Sequence, residues 1–297
     1  MSITIGNAPT SWGIERPSDP TYPSWETVLD EVALSGYTGI ELGPLGFFPT
    51  DPATLRDALD ARGLQLSAGV LMEVLHDPST TDEVVAKAEQ IASLLEGLAC
   101  TRLVTITSWT PGRMATAGRP TAAERLGKQE FATLCDTVHS IADVAGRHGV
   151  RVAFHPHAGT GVEFEDEVDK LLGSTDPARV SLCVDTGHAA YARTDPIALL
   201  DRYGERVTHV HLKDVDPRVL VAVDAEALGF WEAYARGIFC PLGRGLVDFR
   251  AVAETLARVG YQGWATVEQD ASPTGDSVPL EDARASRAHL RAVGLGD

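Results

Sequence analysis

The chain has 297 residues, of which 44% are hydrophobic and 23% are charged, and this composition is typical of a soluble globular protein. No uninterrupted apolar segment approaches the ~18 residues that a membrane-spanning helix needs, so we expect no membrane partner. The formal net charge of −17 argues against a nucleic-acid partner, because binding to a phosphate backbone usually requires clustered lysine and arginine.

Strand-like and helix-like segments alternate along the chain. Eight short runs rich in Val, Ile, Leu and Ala have the near-continuous apolar character of parallel strands that are buried on both faces. These predicted strands are 3–9, 38–42, 64–70, 102–108, 150–155, 180–185, 207–212 and 263–268. Amphipathic segments between them predict helices at 25–35, 52–62, 81–98, 122–148, 165–172, 197–203 and 249–259.

This alternation, which has no break in composition, predicts a single α/β domain over residues 1–297, a (β/α)8 barrel of the TIM type. An open doubly wound sheet is the alternative, but the G-x-G-x-x-G turn that usually follows its first strand is missing. Residues 215–246 form an insertion after the seventh strand, and we expect them to build a wall or lid of a site. The insertion contains the sequence PLGRG and the apolar residues Leu228, Phe230, Trp231, Tyr234 and Phe239.

Two features indicate the cellular compartment. The first twelve residues, MSITIGNAPTSW, contain neither the basic segment nor the apolar core of a signal peptide. The four cysteines are widely spaced and form no C-x-x-C motif, which predicts neither a disulfide framework nor a thiolate zinc site. We therefore expect a cytoplasmic protein.

The last four predicted strands each end in residues that bind metals or transfer protons. His155 and His157 lie at the end of the fifth strand, Asp185 at the sixth, His211 at the seventh and Glu268 at the eighth. Because the C-terminal ends of barrel strands meet at one mouth, we expect one residue from each strand to share a polar site. Two imidazoles and two carboxylates form a mixed nitrogen and oxygen ligand set that suits Mn, Co, Fe, Zn or Mg.

Each of these residues also has a purely structural interpretation. Asp185 could cap the helix that follows it, and Glu268 could pair with an arginine on the barrel rim. Of His209 and His211, we expect only one to face the barrel axis. His211 is the better candidate, since Lys213 extends the polar run toward the mouth. A set of structural ion pairs is the alternative to a metal site, although four strand ends with this pattern favour the metal.

Several motifs resemble those of the xylose-isomerase-like barrels, a superfamily of sugar isomerases, epimerases and related lyases. The matching motifs are DTGH after the sixth strand, HLKD after the seventh and VEQD after the eighth. A closer similarity, to the inosose dehydratase (2-keto-myo-inositol dehydratase) branch, rests on four longer segments that together span the chain. They are GNAPTSWG (6–13), HPHAGTGVE (155–163), FCPLGRGLVDF (239–249) and GYQGWATVEQD (260–270).

The resemblance implies a divalent metal at the barrel mouth, with His155, Asp185, His211 and Glu268 as its ligands. Mn or Co is expected first, with Mg, Fe and Zn as alternatives. In the isomerases and epimerases, the position of His155 usually carries a glutamate, and two metal-bound glutamates move a proton between the faces of the substrate. A histidine there is a poorer match for this shuttle and favours elimination of water.

We therefore predict proton abstraction next to the carbonyl of a small polyhydroxylated keto-cyclitol or ketose, followed by loss of water. Glu268 is the expected base, and His188 and His157 are the expected acids. Lys213 is expected to hold substrate hydroxyls during catalysis. The other expected substrate-binding residues follow the remaining strands or lie in the insertion, and they are Trp12, Glu41, Glu73, Trp109 and Arg244.

Three other functions are alternatives. An isomerase or epimerase that acts on a free or phosphorylated ketose through an enediolate would use the same site. A metal-dependent endonuclease for abasic DNA is opposed by the net charge of −17. A non-catalytic sugar-binding barrel would require that the four strand-end groups hold no metal. The sequence leaves the oligomeric state open, with a homo-oligomer as one alternative.

Overall fold

The computed structural model describes residues 3–270 and 278–296. The strands of the described part lie close to the predicted ones, because each predicted run has the apolar character that burial on two faces requires. They are β1 (Ile3–Asn7), β2 (Gly39–Ile40), β3 (Gln65–Leu66), β4 (Gly69–Glu73), β5 (Arg102–Thr107), β6 (Arg151–Phe154), β7 (Val180–Asp185), β8 (Val207–Leu212), β9 (Asp214–Val215), β10 (Phe239–Cys240) and β11 (Gly263–Val267).

Nine of these strands form one parallel sheet in the order β3-β2-β1-β11-β8-β7-β6-β5-β4. The strand predicted at 64–70 is wrong as a single element, since it is divided into β3 and β4 by Ser67 and Ala68. The backbone bridges this division, because Ser67 N–H donates to Ile40 O and Leu42 N–H donates to Ala68 O, each at 2.9 Å. The sheet therefore closes on itself, and the predicted (β/α)8 barrel is confirmed.

Helices surround the barrel and connect its strands. They are α1 (Trp25–Leu34), α2 (Pro52–Asp60), α3 (Thr81–Gly97), α4 (Pro111–Ala115), α5 (Lys128–Arg147), α6 (Glu165–Ser174), α7 (Thr186–Tyr191), α8 (Pro196–Tyr203), α9 (Pro217–Ala225), α10 (Phe230–Ala235), α11 (Phe249–Arg258) and α12 (Pro279–Ala292). The prediction that a helix begins at residue 122 is wrong, because α5 begins at Lys128. Glu130 Oε2 accepts a hydrogen bond from Gly127 N–H at 2.7 Å and so satisfies a donor at this helix start.

The core has an outer and an inner part. Between the sheet and the helices, residues such as Phe154 and Leu182 are almost completely buried, and each contributes about 1.5–3 kcal/mol of hydrophobic stabilisation. Inside the barrel lies a smaller apolar cluster that contains Val104, Ala153 and Cys183. All six residues of β7 are buried, so its last residue is delivered to the barrel mouth in an environment that excludes water.

A buried ion-pair network connects the segments that follow β5 and β6. Arg113 Nη1 donates to Glu167 Oε1 at 2.7 Å, and Arg113 Nη2 donates to Glu163 Oε2 at 3.3 Å. Glu163 also accepts hydrogen bonds from the N–H groups of Gly118 at 2.6 Å and Gly159 at 3.0 Å. Burial is the main reason that the pKa of Glu163 is raised to about 7. The network therefore holds the loop after β6 against the segment around α4.

Residues 214–248 lie between β8 and α11. β9 and β10 pair antiparallel, and α9 and α10 lie between them in sequence. The Asp214 carboxylate accepts hydrogen bonds from the N–H groups of Val215, Gly243, Gly245 and Val247 at 2.8–3.0 Å, which fixes the PLGRG turn. In the described part of the chain, no helix combines the length and apolar character needed to cross a membrane.

Candidate active site

Four side chains from four consecutive barrel strands meet at the C-terminal mouth. His155 follows β6, Asp185 ends β7, His211 lies in β8 and Glu268 follows β11. One potential ligand atom from each residue lies within 4.8 Å of the others, and all four residues are buried. We call these four residues the strand-end cluster. It contains His155 and leaves His157 outside, where the His157 ring contacts the ring of His188 at a centroid distance of 3.7 Å.

Three atoms of the strand-end cluster have no hydrogen-bond partner. Within residues 3–270 and 278–296, His155 Nε2, Asp185 Oδ2 and His211 Nδ1 are buried and make no hydrogen bond. Asp185 Oδ2 lies 3.6 Å from each of the two nitrogens, and Glu268 Oε2 lies 3.1 Å from His211 Nδ1. An unsatisfied buried polar atom costs about 1–3 kcal/mol, so three such atoms facing one another indicate a place for a cation.

The protonation of His155 fits this interpretation. His155 Nδ1 lies 2.7 Å from Pro156 O, and a carbonyl oxygen can only accept a hydrogen bond. The proton of neutral His155 is therefore on Nδ1, and the lone pair on Nε2 points toward Asp185. Together with the two carboxylates, the cluster offers a mixed nitrogen and oxygen set that fits a divalent cation.

Asp185 both caps a helix and contributes an oxygen to the strand-end cluster. Its Oδ1 accepts a hydrogen bond from His188 N–H at 2.7 Å and caps α7, whereas its Oδ2 faces the strand-end cluster. Burial opposes ionisation, but the positive charge of Lys213 outweighs it and holds the pKa of Asp185 well below its usual range. Asp185 is thus an ionised carboxylate, and one of its oxygens is held by the hydrogen bond from His188 N–H.

Lys213 is a buried cation among three carboxylates. Its Nζ lies 3.0 Å from Asp270 Oδ2, 3.1 Å from Glu268 Oε2 and 3.6 Å from Asp185 Oδ2. Burial disfavours the ammonium form, but these carboxylates, Asp270 first, raise the pKa of Lys213 well above its usual value. Gly187 allows the approach, because a Cβ there would lie 2.5 Å from the Lys213 side chain. Glu268 therefore pairs with a lysine, and not with the rim arginine of the structural alternative.

Glu268 is ionised, whereas His157 and His188 near it are neutral. Burial opposes ionisation of Glu268, but the charges of His211 and Lys213 lower its pKa, so the carboxylate is ionised. Burial lowers the pKa of His157 to about 3, with a further contribution from His155. Burial also lowers the pKa of His188 well below its ordinary value. Both His157 and His188 are therefore neutral.

A cavity of about 210 Å³ opens beside the strand-end cluster. Its polar side includes Glu41, Lys213, Glu268 and Asp270, together with His157 and Glu15. Its aromatic side is formed by Trp109, Phe230, Trp231 and Tyr234, so residues of the segment between β8 and α11 contribute to the wall. The rings of Trp109 and Trp231 contact each other edge to face at a centroid distance of 5.2 Å. The cavity therefore offers charged groups on one side and flat apolar surfaces on the other.

Of the five residues expected to bind substrate, Glu41 and Trp109 line this cavity. Among the described residues, the lining does not include the other three. The Trp12 indole instead donates to Glu31 Oε2 at 2.6 Å. Glu73, the last residue of β4, pairs with Lys87, and Arg244 is exposed on the PLGRG turn.

The expectation that only one of His209 and His211 faces the barrel axis is wrong. Residues two apart on a strand point to the same side, so both imidazoles lie inside the barrel. Both are buried, and their Nε2 atoms lie 2.7 Å and 2.9 Å from Glu41 Oε1. Burial alone would raise the pKa of Glu41, but the two histidines lower it to about 2.

Four polar residues of the cavity lining, Thr10, Glu15, Lys87 and Asp270, were not predicted as site residues. Asp270 stands two positions after Glu268 in the VEQD motif, and this shared motif was the available signal. Glu15 follows the predicted first strand within a segment that has no distinctive pattern. Its place in the cavity lining results from the path of the chain after the short 3-10 helix at Pro9–Trp12.

Comparison with known proteins places the chain in a family. The family described as "Xylose isomerase-like TIM barrel" matches residues 29–293. An inosose dehydratase from Geobacillus kaustophilus is 35% identical over 275 residues, which cover 91% of this chain and 88% of that protein. This relative is a dehydratase by name.

Two solved structures share the fold. The first is the IOLI protein with a binding zinc atom, which has a TM-score of 0.73 and 15% identity and covers 98% of both chains. The second is an L-ribulose 3-epimerase, with a TM-score of 0.71 and 16% identity over 98% of this chain and 94% of that one. At such low identity the structures show the fold alone. The family match and the 35% identity show that this chain is an enzyme and belongs to the xylose isomerase-like TIM barrel family.

Proposed function

We propose that the enzyme removes water from a keto-cyclitol such as 2-keto-myo-inositol, with a divalent cation bound to the strand-end cluster. The observation that carries the proposal is the set of buried atoms without hydrogen bonds, His155 Nε2, Asp185 Oδ2 and His211 Nδ1 among the described residues. They converge beside a cavity that has charged and aromatic walls. The 35% identity to an inosose dehydratase supports the choice of substrate.

The four residues of the strand-end cluster would hold the cation. When bound, a divalent cation supplies a Lewis acid that polarises the carbonyl of a ketone and favours loss of the neighbouring proton. Metal binding requires both imidazoles to be neutral, so the filled site, with its two carboxylates, would carry little net charge, which suits an uncharged polyol. The choice among Mn, Co, Zn, Fe and Mg is part of the experiment below.

Glu268 is the group that we assign as base. It is ionised, it lines the cavity, and its Oε2 can take the proton from the carbon next to the carbonyl. The electron pair of the broken C–H bond forms the new carbon–carbon double bond as the β-hydroxyl leaves. Because the pKa of Glu268 is low, this carboxylate is a weak base. The reaction therefore requires that the pKa of the substrate C–H group is lowered as well.

The departing hydroxyl needs a proton, and we assign Lys213 as its donor. The sequence favours His157 and His188 for this role, but burial keeps both imidazoles neutral, so neither holds an additional proton. Lys213 is the lysine of the cavity lining that lies beside Glu268, and the hydroxyl leaves as water when Nζ protonates it. The proton taken up by Glu268 then returns to Lys213 across the 3.1 Å between Oε2 and Nζ, which restores the enzyme.

The aromatic wall would hold the ring of the substrate. Trp109 and Trp231 present flat apolar surfaces to the carbon–hydrogen face of a cyclitol, while its hydroxyls meet Lys213 and Asp270. The same rings keep bulk water from the reacting carbon. This arrangement suits a six-membered ring with one apolar and one polar face.

The test combines elemental analysis with a substrate assay. The purified protein is expected to contain about one divalent ion per chain and to convert 2-keto-myo-inositol to a dehydrated product that carbon NMR detects. Dialysis against a chelator should abolish turnover, and readdition of the ion should restore it. Unchanged turnover after complete metal removal, or full activity in Glu268→Gln, would contradict the proposal.

Isomerisation or epimerisation of a ketose is the second candidate, because L-ribulose 3-epimerase shares the fold and proton abstraction next to a carbonyl begins both reactions. His155 weighs against it, since the isomerases usually carry a glutamate at this position. Incubation in deuterium oxide separates the two reactions. Deuterium that enters the substrate carbon without formation of a dehydrated product would favour the second candidate.

A further inference from the structure

Glu41 stands behind a residue of the strand-end cluster and does not belong to the cluster. It follows β2, and its backbone is held by a hydrogen bond from its N–H to Asn7 O at 2.9 Å. Its side chain is fully buried, and its Oε1 lies 2.9 Å from His211 Nε2. The opposite nitrogen of His211, Nδ1, is the one that faces Asp185 and Glu268.

This geometry determines where the proton of His211 lies. An ionised carboxylate can only accept a hydrogen bond, so Nε2 of His211 must carry a proton toward Glu41. Metal binding requires the neutral imidazole, and in that form Nδ1 holds the lone pair and points into the strand-end cluster. His155 shows the same arrangement with a different acceptor, since its outer nitrogen donates to Pro156 O. Each imidazole of the cluster is thus oriented by a hydrogen-bond acceptor on the side away from the cluster, Pro156 O for His155 and Glu41 for His211.

His209 holds Glu41 in place. Its Nε2 lies 2.7 Å from the same Oε1 atom, so two imidazoles from β8 hold one carboxylate oxygen. Among the described residues, no lysine or arginine bonds to Glu41, and its Oε2 is buried without a hydrogen bond. A buried carboxylate is costly unless positive charge lies nearby. A cation bound through His211 would place that charge one imidazole ring away.

We infer that Glu41, oriented by His209, is a positioning residue that fixes the tautomer of His211 and increases its affinity for the metal. The inference rests on the metal site of the proposed function and goes beyond it, because it gives Glu41 a role other than contact with substrate. Acceptors of this kind behind a metal-bound histidine typically contribute a factor of about 10–100 to metal affinity.

A second cation between Glu41, His209 and His211 is the competing interpretation, since these three residues also converge. The distances oppose it. The facing atoms of the strand-end cluster lie 3.1–3.6 Å apart. The observed separations of 2.7 Å and 2.9 Å are instead those of ordinary hydrogen bonds.

The test measures zinc affinity directly. Metal-free wild type, Glu41→Gln and a control, Glu31→Gln, are titrated with zinc against a competing chelator dye. Glu31 is a half-buried glutamate that accepts a hydrogen bond from Trp12, so the control loses a similar interaction with a residue outside the cluster. Wild type and Glu31→Gln are expected to bind one ion with equal affinity, within about twofold. Glu41→Gln should bind one ion at least tenfold more weakly.

The outcomes are distinguishable. Wild type that binds no zinc would refute the metal site itself, whereas equal affinities of wild type and Glu41→Gln would refute only the role of Glu41. Two ions bound to wild type and one to Glu41→Gln would show that Glu41 is a ligand, which also overturns the inference. Should Glu41→Gln fail to fold, nitrogen-15 NMR of zinc-loaded wild type gives the answer. A proton on His211 Nε2 is expected, and zinc bound at that nitrogen would contradict the inference.

Discussion

Replacement of Lys213 by methionine is expected to destabilise the metal-free protein strongly. Methionine preserves most of the volume of the side chain but removes the cation that lies 3.0 Å from Asp270 and 3.1 Å from Glu268. Removal of one member of a buried ion pair leaves the other charge uncompensated and typically costs about 3–5 kcal/mol. Because three carboxylates face Lys213, we expect a loss in the upper part of that range.

The assay is urea unfolding of the metal-free protein near neutral pH, followed by circular dichroism. Lys87→Met is the matched control, since Lys87 is half-exposed and pairs with one carboxylate, that of Glu73. An exposed pair of this kind contributes about 0–1 kcal/mol, so the control should remain close to wild type. A loss of less than about 1 kcal/mol in Lys213→Met would refute the reasoning that the carboxylates depend on this lysine.

The same variant tests catalysis. If Lys213 donates the proton to the departing hydroxyl, kcat of the metal-loaded variant should fall by about 10²–10⁴-fold. A divalent ion should also restore part of the lost stability, because it compensates Asp185 and Glu268 but lies farther from Asp270. Retention of wild-type kcat in a folded, metal-loaded Lys213→Met would require another proton donor.

Three further predictions concern the cavity wall, the buried network and one surface histidine. Trp231→Ala removes a 45% exposed ring from the aromatic wall, so KM should rise several-fold while the unfolding free energy changes little. An unchanged KM would show that the Trp231 ring does not contact the substrate. Arg113→Met should lower the unfolding free energy by about 3 kcal/mol in urea, because it leaves the buried Glu163 without its cation, while Glu167 keeps its ion pair with Arg125; a loss below about 1 kcal/mol would contradict this. Hydrogen bonds to Glu89, and to a smaller extent to Glu96, raise the pKa of His148 above 6.5. The stability that protonated His148 contributes is therefore complete below pH 6.5 and is lost as the pH rises through the raised pKa. His148→Gln should therefore destabilise the protein more at pH 6 than at pH 9, and equal differences at the two pH values would refute this assignment.

Much of the barrel was predictable because its signals are local. A run such as Val180–Asp185 is mostly apolar, and this pattern is typical of a strand that is buried on both faces. The division of the third strand at Ser67 and Ala68 was not predictable, since those two small residues fit a strand as well as a break. The start of α5 at Lys128 was also missed, because the preceding residues have helical composition and only the hydrogen bonds at Gly127 mark the boundary.

The sequence by itself determined which residues stand at the strand ends, because a polar residue after an apolar run can be read from the chain in order. It placed His155, Asp185, His211 and Glu268 at one mouth, where the structure brings them within 4.8 Å. Only the tertiary structure decided what lies behind and beside them. Glu41 is 170 residues from His211 in the chain, and their contact depends on closure of the barrel, which no local pattern encodes. Tertiary contacts likewise keep Trp12 out of the cavity lining, because its indole donates to Glu31 while Pro9 and Thr10 of the same 3-10 helix line the cavity.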